Sequence, residues 1–178
     1  MYHDILHFWF DDIDSGLWWE QDAALDQIIT DRFRPLHDQA IRCELFEWRK
    51  FPDGRLAEII LLDQFSRNMY RDTPKAFLYD ALALSLAQEA IARGDDTQLT
   101  ELQRAFMYLP FMHSESLRIH EEAVHLYTKL GSDSHLNFEH QHKVIIERFG
   151  RYPHRNIILG RASTKEEIAF LKEPGSSF

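Results

Sequence analysis

Between residues 54 and 68, Leu56, Ile59, Ile60, Leu61, Leu62 and Phe65 point in nearly every direction around one helix, since side chains advance about 100° per residue. A helix that is apolar on all sides is buried. Asp63 sits among these residues, between the Leu56 and Ile59 directions, so its carboxylate must be buried as well. A buried carboxylate needs a partner, and Arg67, four residues on, is within reach.

The rest of the chain repeats the helical period. Apolar spacing and punctuation predict eight helices, near 2–10, 20–34, 54–68, 74–93, 98–109, 113–130, 135–149 and 164–172. Pro35 ends the second helix, kinks it or starts another. Phe51-Pro52-Asp53-Gly54 reads as a turn. Thr73-Pro74 reads as an N-cap followed by proline at the first helical position. The expected stops are Gly94, Pro110, Gly131 and Gly150, and Ser163 with Glu166 fits a capping box. No stretch alternates cleanly between turns, so no sheet is expected. The expected fold is all-α, with antiparallel helical hairpins packed as a right-handed superhelix or an irregular bundle. No 34-residue repeat is legible to choose between them.

A chain of 178 residues with 44% hydrophobic content can build such a core as one domain, residues 1–172, followed by a flexible tail, 173–178. Cys43 is the single cysteine, so no internal disulfide is expected. The formal charge of −9 argues against a nucleic-acid partner. No apolar run approaches the length of a membrane span, and the opening MYHDILHFWFDD lacks the basic start of a secretory signal. Cytoplasmic location is the resulting expectation; oligomeric state stays open. The charge is uneven. Residues 1–31 hold eight acids and no Lys or Arg, whereas 142–161 hold Lys143, Arg148, Arg151, Arg155 and Arg161 against Glu147 alone. The basic segment could draw an anionic small molecule or be balanced internally.

Other polar groups also fall on apolar faces. Asp80 points close to Ala87 and Ile91 and should be buried and paired. His120 enters the apolar arc of its helix, with His113 nearby, and His142 lies in the stripe of the next helix. Nothing resembles H-E-x-x-H, and a metal site would have to be assembled across helices from His113, Glu115, His120, His142 or His154. The expectation is therefore no metal and no cofactor. G-x-S-x-G, P-loop and G-x-G-x-x-G motifs are absent. A His–Asp acid–base pair suits neutral pH better. The segment Phe65–Arg71 is echoed by Pro153–Ile157 with Arg161 beyond, both placing Arg-Asn just after a helix.

Three longer stretches, LLDQFSRNMYR at Leu61–Arg71, LPFMHSES at Leu109–Ser116 and ERFGRYPHRNIILGR at Glu147–Arg161, resemble the bacterial domain-of-unknown-function 924 family. Phe8–Phe10 and the STKEEIAFL ending at Leu171 fit the same pattern. The resemblance spans residues 1–171. It implies an all-helical fold similar to tetratricopeptide-type hairpins and no established reaction. The motif positions it carries over are Asp63, Gln64, Arg67, Asn68, His113, Ser114, Glu115, Pro153, His154, Arg155 and Asn156. The family pattern has Phe where this chain has Tyr152, and Gln where it has His120.

Three functions stay open. One is an anion-binding domain, for a small molecule or an acidic peptide end, with Arg67, Asn68, His113, Ser114, Glu115, His142, His154, Arg155 and Asn156 as ligand-binding residues. The second is a small metal-independent hydrolase or lyase with His113, Glu115 and His154 as catalytic candidates. The third is a structural or protein-interaction module. Asp63 and Asp80 are read as structural buried charges. The His113–Glu115 and His154–Asn156 stretches are expected to line one polar site, the former at a helix N-terminus.

Overall fold

The computed structural model describes residues 1–177 and is all-α, with no strand among them. Helix α1, Tyr2–His7, runs into a wide π-helical turn at Phe8–Asp12. Helix α2, Ala23–Ala40, starts where the Asp22 side chain accepts the Leu25 N–H at 2.7 Å, and it passes through Pro35. Next comes one rod made of α3, Pro52–Ile60, a π-helical turn at Leu61–Phe65, and α4, Ser66–Met69. Helices α5, Asp80–Ala92, α6, Glu101–Met112, α7, Leu117–Leu130, and α8, Asp133–Phe149, follow through short links. Helix α9, Lys165–Phe170, closes the series.

The α3 rod lies at the centre, as its apolar circumference requires. Leu56, Ile59, Ile60, Leu61, Leu62 and Phe65 are at most 1% exposed. Helices α1, α5 and α6 pack on α3, α2 packs on α4, and α6, α7 and α8 pack in series. The result is a helical bundle. Phe8, Trp9 and Phe33 surround Phe65 with edge and tilted ring contacts. A smaller cluster of Ile145, Ile146, Tyr152 and Phe170 seats α9. No helix among the described residues is long and apolar enough to cross a membrane. Within the segment 173–178, Ser176 is buried and its hydroxyl donates to the Leu171 carbonyl; residue 178 lies outside the described residues.

Several boundaries differ from the sequence reading for definable reasons. Pro110 does not stop α6. Residues Ala105–Met112 are all buried, and that packing outweighs the backbone hydrogen bond proline lacks. His113 is consequently the C-cap of α6, and the His113–Glu115 stretch links α6 to α7 instead of opening a helix. Thr73 does not cap α5. Its hydroxyl donates to the Tyr70 carbonyl at 2.7 Å, and Pro74–Phe77 forms a separate 3-10 turn. The final capping box falls one residue later, at Thr164 and Glu167, because Arg151 holds the buried Glu167 in register.

Candidate functional site

The π-helical turn at Leu61–Phe65 presents Asp63 and Gln64 toward the α6–α7 link; such turns recur at functional sites. Asp63 is 1% exposed. Its Oδ1 accepts the His113 Nδ1–H at 2.8 Å and lies 3.2 Å from Arg67 Nη1, while the Gln64 amide donates to Oδ2. Burial alone would raise the Asp63 pKa, but Arg67 and His113 overcome it and hold the carboxyl well below the usual carboxylate range. For His113, burial and then Arg67 disfavour the imidazolium, against the pull of Asp63, so its pKa is lowered. With Nδ1 committed to Asp63, no hydrogen bond to Nε2 is seen among the described residues, and the side chain is 16% exposed.

Arg67 turns its fork to Asp80, donating to both carboxylate oxygens at 3.0 Å. Asp80 is paired as expected, yet it is 18% exposed and not fully buried. It is the first residue of α5. Arg155 arrives from the 3-10 turn Pro153–Arg155. Its Nη1 donates to the His113 carbonyl at 3.1 Å and reaches Asp80 Oδ2 at 3.5 Å. The guanidinium lies between two rings, 4.6 Å from the Phe77 centroid and 4.5 Å from that of Tyr152. Arg67 faces Phe77 as well, at 5.6 Å. Arg155 Nε is buried with no hydrogen-bond partner among the described residues.

Glu115 joins the two motifs. It accepts the Tyr152 N–H at 2.8 Å and a bidentate pair from Arg161 at 2.6 and 2.8 Å. Arg161 also donates to Asn156 Oδ1 at 2.9 Å, and the Asn156 amide donates to Ser163 at 3.0 Å. The His113–Glu115 and His154–Asn156 stretches thus share one polar network. Within it Glu115 and Asn156 brace the loop, and both Glu115 oxygens are occupied. Asn68 turns elsewhere, donating to Asp26 at 2.8 Å beside the bidentate Arg71.

The model for bacterial proteins of unknown function, DUF924, covers residues 5–175. The chain belongs to the DUF924 family. Among solved structures, this DUF924 chain is similar to the protein of unknown function ATU0120 from Agrobacterium tumefaciens. The two are 42% identical, the match covers 96% of each chain, and the TM-score is 0.91. No curated protein matches.

Around the DUF924 motifs the structure adds residues that sequence reasoning passed over. Tyr152 is fully buried and sits at the centre of the histidines. His142 and His154 pack on its ring at 5.9 and 5.5 Å. The Tyr152 hydroxyl donates to the Met112 carbonyl and contacts His120 Nε2 at 3.2 Å. His120 also joins Nε2 to the Ser114 carbonyl at 2.8 Å and Nδ1 to Glu139 at 2.7 Å, with both side chains fully buried. The Phe-to-Tyr and Gln-to-His departures therefore meet in space. His142 donates to the Phe138 carbonyl at 2.8 Å, and His154 contacts the backbone of Ser176. Phe77 carried no signal beyond an ordinary apolar residue, whereas Arg161 was visible in the echo of Phe65–Arg71. Among the described residues no group of three or more His, Cys, Asp or Glu side chains is arranged to hold a metal ion.

Proposed function

We propose that this protein binds an anionic small molecule or an acidic peptide end through Arg155, flanked by Arg67 and His113. The observation that carries the reading is the state of the Arg155 guanidinium. Among the described residues its two hydrogen bonds leave from Nη1, to the His113 carbonyl and to Asp80, and its buried Nε has no acceptor. An unpaired buried donor costs about 1–3 kcal/mol. The Nε–Nη2 edge is the one that takes a carboxylate or phosphate side-on by two parallel hydrogen bonds. Phe77 and Tyr152 fix the plane of the fork. Asp80, at 3.5 Å, satisfies it weakly.

A library of anionic metabolites and short peptides with free C-terminal carboxylates, screened by thermal shift, tests this reading. A ligand of the folded state raises the apparent unfolding temperature. Arg155→Lys keeps the charge and loses the fork, so affinity for a hit should fall by about 1–3 kcal/mol. A dissociation constant unchanged by Arg155→Lys, or a library without an anionic hit, would leave Arg155 a structural residue.

A further inference from the structure

We propose that His113 is the general base of a proton-transfer reaction, acting through Nε2 on a carboxylate held by Arg155, with Asp63 as the residue that positions it. The substrate class is a 2-oxo carboxylate, whose C–H next to the ketone carbon is acidic. For its substrate the proposal rests on the anion site at Arg155; the state of His113 can be read without any ligand.

Geometry fixes the role of each nitrogen. The Asp63 carboxylate is an acceptor, so the proton of neutral His113 resides on Nδ1, 2.8 Å from Oδ1. The lone pair then lies on Nε2, for which no hydrogen bond is seen among the described residues, on a side chain that keeps partial exposure. Gln64 and Arg67 occupy the rest of the Asp63 carboxylate and prevent it from swinging away. Burial and Arg67 keep the imidazole unprotonated before reaction, which a base requires.

The substrate end is equally defined. Arg155 is tied to the backbone carbonyl of His113 itself, at 3.1 Å. Arg155 is therefore anchored to the same backbone segment that carries the base. In the reaction, Nε2 forms an N–H bond to the proton it removes. The electron pair of the broken C–H bond passes into the adjacent ketone carbonyl, giving an enolate whose added negative charge the neighbouring Arg155 and Arg67 cations offset. Asp63 stabilises the imidazolium. Reversal of the step returns a proton from Nε2 to the same carbon on the same face.

Two measurements test the assignment. In the first, 15N-histidine NMR at pH 7 assigns the His113 tautomer, with His113→Gln identifying the signal. Protonated Nδ1 and bare Nε2 are expected; a protonated Nε2 overturns the proposal whatever the ligand. In the second, a fixed set of pyruvate, 2-oxobutyrate, 2-oxoisovalerate and 2-oxoglutarate is incubated with the whole protein in D2O, and deuterium incorporation is followed by NMR. Incorporation at least tenfold above the protein-free rate is expected for one or more of them, lost in His113→Gln and reduced in Asp63→Asn. A compound that binds in the thermal-shift assay and shows no incorporation overturns the base and leaves the anion site standing. Failure of all four both to bind and to exchange overturns the substrate class. Incorporation that survives His113→Gln places the base elsewhere.

Discussion

Arg67 and Arg155 share one acceptor: Oδ2 of Asp80 lies 3.0 Å from Nη2 of Arg67 and 3.5 Å from Nη1 of Arg155. Two like charges from distant parts of the chain are thus held against one carboxylate and one ring, Phe77. The echo in the sequence has a structural meaning. In each segment the first Arg goes to Asp80. The Asn and the later Arg form a separate group around an acid, Asp26 in the first case and Glu115 in the second.

Asp63 is the group on which this arrangement depends most. Asp63→Ala would take the acceptor from His113 and leave Arg67 to Asp80 alone, and should cost on the order of 3 kcal/mol. Asp63→Asn keeps a hydrogen-bond acceptor and should cost less. Equilibrium denaturation in urea measures both. A change under about 0.5 kcal/mol for the alanine variant, a size ordinary for exposed surface sites, would contradict the buried pairing.

Acid should weaken the fold before most carboxylates titrate. Burial lowers His37 and His154 to about 4 and His142 to about 3. An unfolded histidine titrates near 6.5. Between these values the unfolded chain binds protons that the folded chain does not, so stability is complete above 6.5 and declines as pH falls toward 4. Each histidine contributes up to about 1.4 kcal/mol per pH unit in that window. Urea midpoints between pH 7 and 4.5 should show this slope, and His37→Gln should reduce it. A flat profile would mean that these histidines protonate inside the fold.

His120 and Glu139 form a fully buried pair that also holds the Ser114 carbonyl. His120→Phe leaves the Glu139 carboxyl and that carbonyl without their donor and should cost about 3 kcal/mol. His120→Gln supplies an amide donor and should cost about half as much. Thermal unfolding of the two variants tests the order; equal losses would show that packing, not hydrogen bonding, sets the requirement.

The all-helical class and the burial of Asp63 were legible because both follow from helical periodicity and i, i+4 reach. The partners of Asp80 were not, since Arg67 reaches it across an intervening 3-10 turn and Arg155 comes from the far end of the chain. Pro110 misled because proline's local cost was visible while the packing of Ala105–Met112 was not. Tyr152 read as a minor aromatic exchange. Its importance depends on which histidines fold around it, which no local pattern encodes. The adjacency of the His113–Glu115 and His154–Asn156 stretches was anticipated, though Glu115 spends its oxygens on Arg161 and Tyr152.

The π-helical turn in the central rod acts as a phase shifter. A turn that takes in one extra residue rotates everything beyond it by about 100° relative to an uninterrupted α-helix. Ahead of it the rod meets α1, α5 and α6, and behind it the rod meets α2, so one shaft serves two sets of neighbours. Deleting a single residue between Leu61 and Phe65 would straighten the shaft. It would also carry Arg67, Asn68 and Arg71 more than a quarter-turn away from Asp80 and Asp26. The length of this segment is therefore as constrained as its chemistry.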